Sequence, residues 1–227
     1  YTLERILETW DRAEAAGINT MITNNETPHV LEAVESYISG GGALQWIAQV
    51  NRQRNPDMIG AINEAVAIGC KAIYFHGAQV DELYRTRDSQ TLRHWCAAVR
   101  AHGLPVGVAA HAPQAHRWVH SLGLVDFHAV CFFNCGSLHE GQGHAFRLSD
   151  IAAAVEAINA IDKPCIAYKV MGAGRIEARM ALEFALANIK PSDVVNVGMH
   201  RGDNDDIVEE NAAMVRAILR GNGGAGQ

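Results

Sequence analysis

The chain has 227 residues, 48% hydrophobic and 19% charged, with a formal net charge of -6 at pH 7. This size suits one larger domain with a substantial core, and the composition excludes a disordered or coiled-coil chain. Acidic and basic residues are mixed along it, which argues against a nucleic-acid partner, and no apolar run is long enough to span a bilayer, so no membrane partner is expected either.

The pattern opens inside a helix, over 2–16, with Thr2 as N-cap and Leu3, Ile6, Leu7 and Trp10 on one face. Gly17 ends it, and a strand follows over 18–23. Pro28 starts a helix that stops before Gly40-Gly41-Gly42, and a strand occupies 43–50. A helix near 56–68 leads through Gly69 to a strand over 71–77. The longer helical stretch 79–102 breaks near Arg87–Asp88, and Gly103 and Pro105 introduce a strand ending at His111. A short helix over 113–122 precedes the strand VDFHAVCFFN, 125–134. The segment 135–150 has no apolar periodicity and is the natural place for a substrate loop; it carries His139, Glu140 and His144, read as solvated. Then come a helix over 149–161, a strand over 164–170, a helix over 175–189, a strand over 193–199 and a helix over 204–220.

Helices that alternate with short apolar strands require parallel pairing, because each return to the same edge needs a helical crossover. Runs such as AIYFHG and VVNVGM are apolar on consecutive positions, as expected for strands covered on both faces. The expected fold is a (β/α)8 TIM barrel whose first strand is missing from this chain, with residues 1–220 as a single domain and 221–227 as a Gly-rich tail. The competing architecture is an open doubly wound sheet, but no strand is followed by GxGxxG and the repeat shows no point of reversal. The five cysteines (Cys70, Cys96, Cys131, Cys135, Cys165) lack CxxC spacing. Cys70, Cys131 and Cys165 read as small core residues, and the set points to reduced thiols. With no signal-peptide pattern, a cytoplasmic location is expected.

In a barrel the chemistry lies at the C-terminal ends of the strands. Those ends here carry Asn24, then Gln49 and Arg52, then His76, His111, Asn134 with Cys135, Lys169, and His200 with Arg201. The strand starts look bland by comparison. His76 and His111 end neighbouring strands and suit a general acid and base, or a divalent metal such as zinc with Cys135 or Glu26 as third ligand and His200 or Asp203 behind them; the spacing is not a zinc signature. Lys169, in an apolar strand, suits a Schiff base or a polarised carbonyl; otherwise it reaches the rim or pairs with Glu26. Gly172, Gly174 and Arg175 after one strand, and Gly198, His200 and Arg201 after the next, suit an anion, whether phosphate or carboxylate, or a sugar hydroxyl. Asp203, Asp205 and Asp206 weaken that reading or cap the following helix. Asn134 would orient the substrate. His94, His102, His116 and His120 fall on helices and look structural or exposed.

The stretches HGAQVDELY, GLPVGVAAHAP, VDFHAVCFFN and KPCIAYKVMGAGRI resemble bacterial TIM-barrel proteins of unassigned activity, distantly like aldo-keto reductases and sugar-isomerase-like barrels. The resemblance implies the barrel and the choice of His76, His111, Asn134 and Lys169, but no substrate. His76 stands where aldo-keto reductases keep their histidine. Their tyrosine and lysine are missing, with Thr23-Asn24-Asn25 and Gln49-Val50-Asn51 in those places, which argues against that hydride transfer. The expected activity is proton transfer beside a carbonyl, by a lyase, aldolase or isomerase, on a small polyhydroxylated, anionic substrate. A metal-dependent hydrolase and a non-catalytic binding or scaffold barrel are the alternatives, and self-association stays open.

Overall fold

The computed structural model describes residues 1–52, 57–135 and 146–223, so His139, Glu140 and His144 lie outside the described residues. The elements in chain order are α1 (Leu3–Ala15), β1 (Thr20–Asn24), α2 (Pro28–Ser39), β2 (Gln45–Val50), α3 (Met58–Ile68), β3 (Ala72–Phe75), α4 (Gly77–Thr86), α5 (Ser89–Ala101), β4 (Val106–Ala110), α6 (Pro113–Leu122), β5 (Phe127–Cys131), α7 (Ser149–Ala160), β6 (Cys165–Tyr168), α8 (Ala178–Asn188), β7 (Val194–Val195) and α9 (Ile207–Gly223). The strand order follows the chain from β1 to β7, without the reversal a doubly wound sheet requires. Two compact units are present, Tyr1–Ala129 and Val130–Gln227, with the boundary inside β5.

In the first unit, local chemistry sets the helix ends. The Thr2 hydroxyl accepts from the Arg5 N–H (3.3 Å), and the Asp57 carboxylate accepts from Ile59 (3.0 Å) and Gly60 (3.1 Å). Asp88 caps α5 in the same way after Arg87 has turned left-handed (φ 56°), which separates α4 from α5. β1 to β4 pair in parallel, with Asn24, Gln49, Tyr74 and Gly107 level across the sheet. Tyr74 faces one side, edge-on to Phe127 at 6.4 Å; a side chain at Gly107 would collide with that ring. Phe75 faces the other side, against Trp95 of α5 at 5.4 Å. β3 is therefore covered on both faces, as its run of apolar residues implied.

In the second unit, β6 and β7 pair in parallel, Ile166 with Val194 and Ala167 with Val195. Its core gathers Phe132, Phe133, Ile158, Ile161 and Leu182. VVNVGM does not behave as a strand covered on both faces. β7 holds two residues, and Val194 is 55% exposed. After Val195 only the Asn196 N–H continues the pairing, to the Ala167 carbonyl (2.8 Å), before the chain turns to line a cavity.

The strand starts are not bland. Asp126, just before β5, accepts from the Val106 N–H at the start of β4 (2.9 Å) and from Arg100 (2.9 Å). Asp193, just before β7, accepts from the Cys165 N–H at the start of β6 (2.8 Å), from the Lys190 N–H (2.8 Å) and from the Lys190 ammonium (2.9 Å). The same device thus appears once in each unit. All five cysteines are free and buried, and burial pushes Cys70, Cys131 and Cys165 up to about 11 and Cys96 to about 12.

Candidate functional site

At the strand ends of the first unit, polar side chains mostly satisfy one another. The Asn24 side-chain oxygen accepts from the N–H groups of Glu26 (2.9 Å) and Thr27 (3.1 Å), shaping the entry to α2. Buried Asn25 accepts from the Asn51 N–H (3.0 Å) and donates to the Asn51 carbonyl (3.4 Å), linking the ends of β1 and β2. The Asn51 side-chain oxygen takes the Arg52 N–H (2.7 Å) and the side-chain amide of Gln79. Gln49 donates to the Tyr74 hydroxyl (2.9 Å), and the Arg52 guanidinium lies 5.2 Å over the Trp95 ring. Asn24, Gln49 and Arg52, expected to bind substrate, are each engaged within the fold.

His76 and His111 are brought together, with ring centroids 6.3 Å apart. His76 is the N-cap of α4, and its Nδ1 accepts from the Ala78 N–H (3.3 Å), which puts the proton of a neutral ring on Nε2. His111 is set the opposite way. Its Nδ1 lies 2.7 Å from the Asp81 carboxylate, which can only accept, so the basic lone pair is on Nε2. Asp81 also accepts from the His111 N–H (3.2 Å), locking α4 to the end of β4. Burial raises the Asp81 carboxyl, but its contacts with His111 and Ala112 outweigh that and hold it below the usual carboxylate range. Gly77 makes room, since a Cβ there would stand 3.0 Å from the His111 ring. Sequence reasoning missed Asp81. Its signal is an acidic residue one turn into a helix that opens on a strand-end histidine.

In the second unit a cavity of about 630 Å³ is lined by Tyr168, Lys169, Asn196, His200 and Asp203 together with apolar Val170, Met171, Val197 and Ile207. Lys169 follows β6 in a left-handed conformation (φ 55°), uncommon for a residue with a side chain and a mark of local strain. Its ammonium donates to the Cys135 carbonyl (3.1 Å) and has no carboxylate partner among the described residues. His200 faces the same cavity, with Nδ1 3.0 Å from the Asp203 carboxylate; the lone pair of its neutral ring is therefore on Nε2.

The expected anion site is built differently. The N–H groups of Gly172 and Gly174 donate to the carbonyls of Lys169 (3.0 Å) and Met171 (3.1 Å), closing tight turns instead of facing a ligand. Arg175 lies before α8 and donates to the Gly172 carbonyl (2.8 Å), 5.8 Å over the Phe146 ring. Glu177 caps α8, accepting from Arg179 and Met180 (2.9 Å each), so a carboxylate already holds that helix start. Arg201 is only 2% exposed and is bound by Asp205 (2.8 Å). Asn134 is exposed, with its N–H 3.3 Å from the Asp150 carboxylate. Cys135 is packed in the core of the second unit. Among the described residues no group of three or more His, Cys, Asp or Glu is placed to hold a metal ion.

No family model matches the chain, and no curated protein matches its sequence. Solved structures do match it. A Pseudomonas aeruginosa protein ascribed to the aldo-keto reductases matches with a TM-score of 0.67 at 17% identity, over 96% of this chain and 82% of that protein. A truncated 3-deoxy-D-arabino-heptulosonate 7-phosphate synthase from Thermotoga maritima matches with a TM-score of 0.60 at 9% identity, over 97% and 82%. An aldolase matches with a TM-score of 0.59 at 10% identity, over 96% and 90%. At such identities the likeness is one of fold alone. It agrees with the barrel-type α/β architecture expected from the repeat, and with the distant resemblance to aldo-keto reductases.

Proposed function

We propose that the chain is an enzyme of barrel type that moves a proton beside a carbonyl group, as a lyase, aldolase or isomerase acting on a small polyhydroxylated substrate. One observation carries this reading: Lys169 and an Asp203-held His200 line one cavity. A carbonyl oxygen gains negative charge when the neighbouring carbon loses a proton, and a cation without a carboxylate partner stabilises that charge in a largely apolar pocket. His200, with its lone pair on Nε2, is the proton acceptor there. Recognition of an anionic substrate would fall to Lys169 and His200, since Arg175 and Arg201 are bound within the fold.

The test needs no known substrate. Small aldoses, ketoses and 2-oxo acids are incubated with the protein in heavy water, and deuterium entering the carbon next to the carbonyl is followed by NMR. Exchange that Lys169→Met abolishes supports the proposal; a variant that exchanges as fast as the wild type overturns it. The opposed settings of His76 and His111 favour a second reading, an acid–base pair in the first unit. Exchange lost in His111→Asn but retained in Lys169→Met and His200→Asn would select it.

A further inference from the structure

We infer that Lys169 acts covalently, capturing a short hydroxylated aldehyde or ketone as an imine within the cavity of the second unit. This deepens the carbonyl reading above and rests on it.

Three features set Lys169 apart from the other lysines of the chain, Lys71, Lys163 and Lys190. Lys190 is committed to Asp193 (2.9 Å) and to the Ile158 carbonyl (2.8 Å), and Lys71 and Lys163 are exposed. Lys169 alone of the four lines the cavity, and among the described residues its ammonium is held by one neutral carbonyl, a partner it can leave at small cost. Its backbone is fixed in the left-handed region, a strained setting that the surrounding turn maintains through the Gly172 N–H on the Lys169 carbonyl (3.0 Å). The cavity wall also matches a hydroxylated carbonyl compound. Val170, Met171 and Ile207 supply apolar surface, while Asn196 and His200 supply hydrogen-bonding groups for hydroxyls.

The step balances without an oxidant or reductant. The ammonium gives one proton to a base, the role proposed for His200 of the same cavity, and the freed nitrogen lone pair attacks the carbonyl carbon. The C–N bond forms and the C–O π pair moves to oxygen, which takes the proton back from the base. The nitrogen then passes one of its two remaining protons to this oxygen, and the pair so freed expels it as water, leaving an iminium. Overall, ammonium plus carbonyl becomes iminium plus water.

The full chain is incubated with dihydroxyacetone and sodium cyanoborohydride, which reduces an iminium to a stable secondary amine, and the modified lysines are mapped by peptide mass spectrometry. The three other lysines are internal controls. Labelling of Lys169 at least about tenfold faster than of Lys71, Lys163 or Lys190 is expected, as orientation in a pocket predicts. Even labelling of the exposed lysines, or none at Lys169, overturns the inference. Loss of 18O from the labelled probe's carbonyl is followed alongside, because imine formation and hydrolysis must exchange that oxygen. Lys169→Arg keeps the charge and should lose this exchange while melting as the wild type does; exchange that persists overturns the inference. Deuterium uptake without trapping or oxygen exchange leaves the proton-transfer reading standing and removes the imine. Trapping without deuterium uptake keeps the imine and removes proton transfer.

Discussion

The strand ends of the two units carry similar polar residues but use them in different ways. In the first unit Asn24, Asn25, Asn51, Gln49 and Gln79 hydrogen-bond to one another, to nearby backbone or to Tyr74. In the second unit Lys169, Asn196 and His200 surround a cavity. The histidine–carboxylate pairs differ in the same sense. His111 and Asp81 are 29% and 28% exposed and share backbone hydrogen bonds, whereas His200 and Asp203 are 50% and 66% exposed. A shielded pair holds a ring in place; an exposed one is screened by solvent and adds little stability. A polar strand end is therefore a candidate site where it also lines a cavity.

The sharpest way to break this comparison is Lys169→Met. It should slow deuterium exchange by at least about a hundredfold, the scale of losing one charge-stabilising donor, with the melting temperature unchanged. A large loss of stability would instead make Lys169 a structural residue. Asn51→Ala should do the reverse. By removing the acceptor of the Gln79 amide and of the Arg52 N–H it should cost about 1–3 kcal/mol in urea unfolding.

Gly172→Ala comes next, at about 2 kcal/mol. It forces a side chain onto a φ of 56° and places its Cβ 2.6 Å from the Phe146 ring. Gly198→Ala, where a Cβ meets nothing within 4 Å, should stay within about 0.5 kcal/mol and serves as the control.

A last effect is a pH slope in the first unit. Burial pushes His116 down from 6.5 to about 4. The unfolded chain therefore takes up a proton in this window that the folded chain refuses, so stability is full above 6.5 and falls toward pH 4. The Asp81 carboxyl, held below its ordinary 3.8, adds its own loss only at lower pH than this window. His116→Gln should remove at most about 1.4 kcal/mol per pH unit of that slope, read from urea midpoints between pH 4 and 6.5.

Much of the fold is legible in the sequence because burial follows periodicity and helix ends follow capping chemistry. Thr2, Gly17 and Gly69 mark real helix ends, and the break near Arg87–Asp88 separates α4 from α5. The nearness of His76 and His111 follows from neighbouring strand ends. Hydrogen-bond partners are another matter, since no period records them. Asp81 looks like a solvated helix residue, yet it sets the tautomer of His111. Arg175 and Arg201 look like anion ligands, but a carbonyl and a carboxylate have taken them. The brevity of β7 was equally hidden, because VVNVGM is as apolar as a buried strand while part of it faces a cavity.

The sealed thiols give each unit its own clock. Cys70 and Cys96 belong to the first unit, and Cys131, Cys135 and Cys165 to the second, and every one is buried in the native state. A thiol reagent can therefore mark only molecules that have opened, and mapping which cysteines are marked first would time the loosening of the two units separately, with no probe added to the chain.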